Sequence, residues 1–176
     1  MALPLPESDE TVIALPDQAA TERLARALAA ALRPGDVIAL GGELGAGKTC
    51  FARAAINALP RPGRDLPDAE PEEVPSPTFT LVQTYERAPA PVWHFDLFRL
   101  ERPEEALELG LEEALAGAIS LIEWPARLGL LLPRERLDLV LRFAAGPEVR
   151  VAGLLGHDGW QDRLPAVLAG FESAGS

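Results

Sequence analysis

This 176-residue chain has one cysteine, one lysine and no surplus of basic charge, and each scarcity removes a class of function. A single cysteine, Cys50, rules out an internal disulfide framework, and a reducing cytoplasm is the simplest compartment for such a chain. Sixteen basic residues against 27 acidic ones leave a formal net charge of −11, so the surface as a whole repels nucleic-acid phosphates. A role in nucleic-acid metabolism would therefore run through partners or a local basic patch. No uninterrupted apolar run approaches the ~18 residues a membrane helix needs, so no membrane contact is expected. The opening stretch MALPLPESDETV is acidic and proline-containing, the reverse of a secretory signal, and a cytoplasmic location is expected. With 48% apolar and 24% charged residues, the composition is that of one ordinary globular domain spanning 1–176 around a single core.

Several elements can be read from the order of residues. DQAATERLARALAAAL predicts a helix capped by Asp17, with Leu24, Leu28 and Leu32 on one face and RPG ending it. DVIALGG predicts a short buried strand and KTCFARAAINAL a helix. The run from about 60 to 75 is rich in proline and acid and lacks an apolar period, which predicts a flexible surface excursion. TFTLVQTYE and PVWHFDLFRL are β-rich and joined by RAPAP, too short a link for a parallel crossover, so an antiparallel hairpin is expected. EEALELGLEEALA predicts one helix, AISLIEW a buried strand, and LDLVLRF with VRVAGLL a second hairpin. WQDRLPAVLAGF predicts a last amphipathic turn interrupted by Pro165, followed by a tail at about 172–176. The expected fold class is α/β: a single-domain P-loop NTPase whose mixed parallel/antiparallel central sheet is flanked by helices.

The one lysine sits in GGELGAGKT, Gly41 to Thr49, which fits the phosphate-binding pattern G-x-x-x-x-G-K-[ST] in a strand–loop–helix context. Glycines at 42, 45 and 47 let backbone N–H groups turn toward an anion, and the helix starting near Lys48 adds its positive end. Lys48 offers a point charge to β- and γ-phosphates, a task the planar fork of arginine fits poorly. Thr49 offers a hydroxyl to Mg²⁺. No lysine follows Lys48, so the N/T-K-x-D guanine motif is missing and ATP is the expected nucleotide. Asp96 and Glu123 end apolar runs, where strand ends would present them beside the loop, and either could serve as the second carboxylate reaching Mg²⁺. Ser76 and Thr78, in SPTF, form a candidate segment sensing the γ-phosphate, against the plain alternative of a strand-entry turn. Trp124 is read either as a cover for the nucleotide or as packing. His94 is read as a hydrogen-bonded structural histidine rather than a base, and Cys50 as a small packing residue whose helix-start position could lower its pKa.

LGAGKT, SPTFTLVQTYE, HFDLFRL, LGLEEAL and LIEWPARLG occur in an order and spacing that resemble the bacterial TsaE (YjeE) family, from about Leu15 to Val151. The resemblance implies a P-loop ATPase of tRNA threonylcarbamoyladenosine (t6A) synthesis. It would be weak alone and stimulated by a TsaB–TsaD heterodimer, which makes the modification and meets the tRNA itself. It also implies site residues. Leu44, Gly45, Ala46, Gly47, Lys48 and Thr49 would hold the phosphates, Thr49 and Glu123 the Mg²⁺. Asp96, with Lys48, would serve hydrolysis. Gln18 and Gly146 match further nucleotide contacts, and Trp124 matches the family's E-W pair. This chain departs from the family at Phe98, where a tyrosine is usual, and in its longer 60–75 excursion. Two other functions compete. A small-molecule P-loop kinase would need an arginine lid, for which Arg127, Arg134 and Arg136 are candidates. A nucleotide-dependent interaction protein would lack a water-orienting acid, against which Asp96 and Glu123 argue.

Overall fold

The computed structural model describes residues 9–63 and 70–174. Seven strands form one sheet: β1 (Thr11–Leu15), β2 (Val37–Gly42), β3 (Val82–Tyr85), β4 (Val92–Asp96), β5 (Ile119–Glu123), β6 (Leu137–Phe143) and β7 (Arg150–Gly156). Five helices accompany them: α1 (Gln18–Ala29), α2 (Lys48–Ala58), α3 (Glu105–Glu108), α4 (Leu111–Leu115) and α5 (Gly159–Ala174), with a 3-10 segment at Pro125–Leu131. The strand order is β1-β7-β6-β2-β5-β4-β3. β2 runs parallel to both neighbours, β6 and β5, and β4 runs parallel to β5. The β3–β4, β6–β7 and β1–β7 pairs are antiparallel. The sheet is mixed, as expected, with the strand that enters the glycine loop at its centre.

Side-chain alternation along the strands builds a core on each face of the sheet. On one face Ile38, Leu40, Leu121 and Leu139 pack against Leu24 and Leu28 of α1, Phe51 and Ile56 of α2, and Trp160 of α5. On the other, Val37, Phe95 and Ile122 meet Leu100 from the segment after β4 and Ala106, Leu111 and Leu128 from α3, α4 and the 3-10 segment. Asp17 caps α1, its carboxylate accepting the Ala20 N–H at 2.7 Å.

Five expectations are corrected. β1 was not foreseen: it is a mostly exposed edge strand paired, among the described residues, with β7 alone, which lies far away in sequence. The helix expected over EEALELGLEEALA breaks into α3 and α4 at Gly110, which adopts φ +88°. There a Cβ would stand 2.8 Å from the Trp93 ring, so tight packing as well as backbone geometry demands glycine. TFT forms a turn rather than strand, with the Leu81 N–H bonded to the Pro77 carbonyl, and β3 starts at Val82. α5 runs through Pro165 and on to Ala174, into the expected tail, because Trp160, Leu164 and Leu168 bury its inner face and offset the missing bond. The expected surface excursion is partly packed. Val74 is fully buried, Asn57 exchanges two hydrogen bonds with the Glu72 backbone, and the Glu72 carboxylate lies 2.6 Å from buried Arg87. Positions 64–69 of that excursion lie outside the described residues. Among the described residues no helix is long and apolar enough to cross a membrane.

Candidate functional site

The buried strand β2 delivers the chain to the glycine loop, and α2 leaves it from Gly47, which starts the helix at φ +109°. Few side chains take up that left-handed conformation cheaply, so the turn needs glycine. Lys48 follows and is 4% exposed. Its Nζ donates to the carbonyls of Gly42 and Glu43, each at 2.8 Å, and lies 4.0 Å from the centre of the Trp124 ring. Burial lowers the Lys48 pKa, and the carboxylates of Glu123 and Asp96 pull it the other way. The site thus holds an ammonium largely stripped of water beside two acids.

Those acids come from adjacent parallel strands. Asp96 is the last residue of β4 and Glu123 the last of β5; they stand opposite each other in register, and Glu123 pairs with Leu40 of β2. Parallel pairing brings all three strand ends to the edge where the glycine loop begins, the usual place for a ligand in an open α/β sheet. Both acids are nearly buried. Glu123 accepts from the Thr49 hydroxyl at 2.9 and 3.2 Å, and its Oε1 lies 2.8 Å from His94 Nε2. Since an ionised carboxylate can only accept, His94 is the Nε2–H donor. Asp96 Oδ2 accepts from Ser76 and Thr78, each at 2.9 Å, and Oδ1 accepts the Phe98 N–H at 3.2 Å. A cavity of about 210 Å³ joins Leu44, Gly45, Gly47, Lys48, Thr49, Ser76, Thr78, Asp96, Glu123 and Trp124. Trp124 reaches it from a left-handed backbone (φ +59°), and Phe98 packs on its ring at 4.9 Å.

Ala46 is buried within the loop, outside that lining. Gln18 lines a neighbouring cavity of about 310 Å³ with Gly45, Ala46, Pro147 and Arg150. Gly146 sits in the β6–β7 turn, one residue before that lining begins, accepting the Val149 N–H. Burial, with the Glu22 carboxylate beside it, pushes the Cys50 thiol pKa up, the opposite of the lowering its helix-start position suggested. None of the three arginines weighed as a lid, Arg127, Arg134 and Arg136, lines the cavity. Arg136 is held by Asp138 at the start of β6, away from the site, and Arg127 donates to the Leu100 carbonyl. His94, read as a hydrogen-bonded structural histidine, is one: it is fully buried and bonds Glu123, a partner that sequence alone did not name. One residue was missed. Arg150 touches the glycine loop, which nothing local in VRVAGLL announces.

The donor set suits a hard cation. Thr49, Glu123 and Asp96 offer only oxygens to a cation. That pattern matches Mg²⁺, which takes one or two carboxylates and completes its shell with phosphate and water oxygens.

Residues 15–149 match the family model for "Threonylcarbamoyl adenosine biosynthesis protein TsaE". The Rickettsia bellii protein named tRNA threonylcarbamoyladenosine biosynthesis protein TsaE is 42% identical over 123 residues, covering 70% of this chain and 80% of that one. Its Bacillus subtilis namesake is 36% identical over 129 residues, covering 73% and 75%. The crystal structure of Bacillus subtilis YdiB has the same fold, with a TM-score of 0.69 and 24% identity over 99% of this chain and 100% of that one. The matched stretch contains the glycine loop, both strand-end acids, Ser76, Thr78, His94 and Trp124. The chain belongs to the TsaE family.

Proposed function

We propose that, within the t6A biosynthesis that gives its family its name, this protein is a Mg²⁺-dependent ATPase whose hydrolysis supports turnover of a TsaB–TsaD heterodimer. The observation that carries the reading is the Lys48–Thr49–Glu123–His94 constellation, with Asp96 in register beside it on the next strand.

Each residue has a task its geometry favours. The loop N–H groups and Lys48 hold the phosphates, Lys48 exchanging its present carbonyl partners for phosphate oxygens. Thr49 and Glu123 would hold Mg²⁺, and His94 keeps Glu123 aimed. When bound, Mg²⁺ would neutralise charge on the phosphate oxygens. Asp96 is fixed through Oδ2 by Ser76 and Thr78, while Oδ1 carries only the Phe98 N–H and keeps room for a water. It orients that water toward the terminal phosphate. Trp124 and Phe98, packed on each other in the cavity lining, would cover the reacting end. The acidic surface fits a subunit that leaves tRNA handling to its partners.

The deciding experiment is ATP hydrolysis by the purified protein with and without TsaB–TsaD, alongside Lys48→Ala. Slow hydrolysis alone, acceleration by the heterodimer and loss in the variant are expected. Absence of hydrolysis in both conditions would overturn the reading.

A further inference from the structure

Arg150, the first residue of β7, stands one position beyond the stretch matched by the family model, yet it reaches the glycine loop. Its guanidinium donates to four main-chain oxygens. Nε bonds the Ala46 carbonyl at 3.2 Å and Nη2 the Gly45 carbonyl at 3.4 Å. Nη1 bonds the carbonyls of Pro147 at 2.7 Å and Val149 at 3.1 Å, in the β6–β7 turn. The Phe143 ring, 4.2 Å away, covers the cation. One side chain thus ties the hairpin to the loop.

The consequence follows from peptide geometry. In a planar trans peptide the C=O and the following N–H point in opposite directions. Holding the Ala46 carbonyl therefore turns the Gly47 N–H away from Arg150, and Gly47 lines the cavity shared by Lys48 and Thr49. Holding the Gly45 carbonyl fixes the Ala46 N–H, which closes the loop's own turn onto the Glu43 carbonyl at 3.1 Å. Gly45 and Gly47 have no side chains to limit their backbone, so a hold from outside adds order to what the loop's own bonds supply.

We infer that Arg150 is a positioning residue for phosphate binding. It braces the Gly45–Ala46 and Ala46–Gly47 peptides from behind, so that the anion cradle is formed before nucleotide arrives. This rests on the ATP reading above, and it adds a reason for affinity: less ordering remains to be done on binding. A lysine would keep the charge and lose the planar fork that serves loop and turn together.

The test compares the full-length protein with Arg150→Ala and Arg150→Lys, by amide hydrogen exchange without nucleotide and by calorimetric titration with Mg-ATP. Both variants should melt close to wild type and exchange faster over residues 43–49 and in the 144–149 turn that the same guanidinium holds. Both should bind ATP ~10-fold or more weakly, the loss expected when charge-assisted hydrogen bonds are removed. With TsaB–TsaD the loss should fall on KM and spare kcat. Unchanged exchange in Arg150→Ala, or full affinity restored by lysine, would overturn the inference. So would faster exchange with unaltered ATP affinity. If wild type binds no ATP, the nucleotide reading fails, and the inference about phosphate falls with it; the exchange data then show separately whether the brace exists.

Discussion

Replacing Asp96 by asparagine removes one negative charge from the site and almost no volume. The hydrogen bonds around it can survive the exchange. The amide oxygen takes the place of Oδ1 and keeps the Phe98 N–H, while the NH₂ group donates to the hydroxyls of Ser76 and Thr78, which rotate to accept. Trading charged for neutral bonds costs about 1 kcal/mol, or a melting shift of roughly 2–4 °C in a domain of this size. Affinity for Mg-ATP should hold or rise slightly, since the lost charge would have repelled phosphate. Turnover should fall ~10²-fold or more, about 2.7 kcal/mol in the barrier, because the carboxylate that orients water acts mainly in the transition state. Glu123→Ala makes the contrast. It strips Thr49 and His94 of a shared partner and removes a ground-state metal ligand, so Mg²⁺-dependent affinity and hydrolysis should fall together. The assay is steady-state hydrolysis with TsaB–TsaD present, paired with calorimetric titration of each variant. If Asp96→Asn loses ATP affinity as badly as Glu123→Ala, Asp96 belongs to the metal site and the division of labour is wrong. If neither change affects stimulated hydrolysis, the site itself has been misassigned.

Lys48→Ala should abolish ATP binding, and GTP should compete poorly; equal calorimetric affinity for the two nucleotides would refute the choice of ATP. Because burial lowers the Lys48 pKa, its charge is lost at lower pH than that of an ordinary lysine, and ATP affinity in the wild type should decline on the alkaline side below pH 10.5. Replacing residues 65–73 by a short Gly/Ser link looks harmless from sequence. It should nevertheless destabilise by about 1–2 kcal/mol, since it takes Glu72 from buried Arg87 and from Asn57; an unchanged melting temperature would show those contacts idle. Gly110→Ala should cost about 2–4 kcal/mol in chemical denaturation, summing left-handed backbone strain and the clash with Trp93, and a change under 1 kcal/mol would count against the packing argument.

What the chain's order of residues determined unaided was mostly local. The glycine loop between a buried strand and a helix was legible because its chemistry is contiguous: Gly42, Gly47, Lys48 and Thr49 must be neighbours to wrap one anion. The Asp17 cap, the Leu24–Leu28 face of α1 and the two antiparallel hairpins were legible because short-range periodicity and link length specify them, although α1 stops at Ala29, short of Leu32. Asp96 and Glu123 could be nominated as strand ends, but not set side by side. Only the parallel pairing of β4, β5 and β2 decides that they share one edge with Lys48. Contacts between distant segments were invisible for the same reason. Exposed β1 is held by β7, His94 serves Glu123 across two strands, Val74 and Glu72 dock on α2 and Arg87, and Arg150 braces a loop about a hundred positions away. Each depends on where the backbone brings two segments together, and a one-dimensional pattern carries no record of that distance.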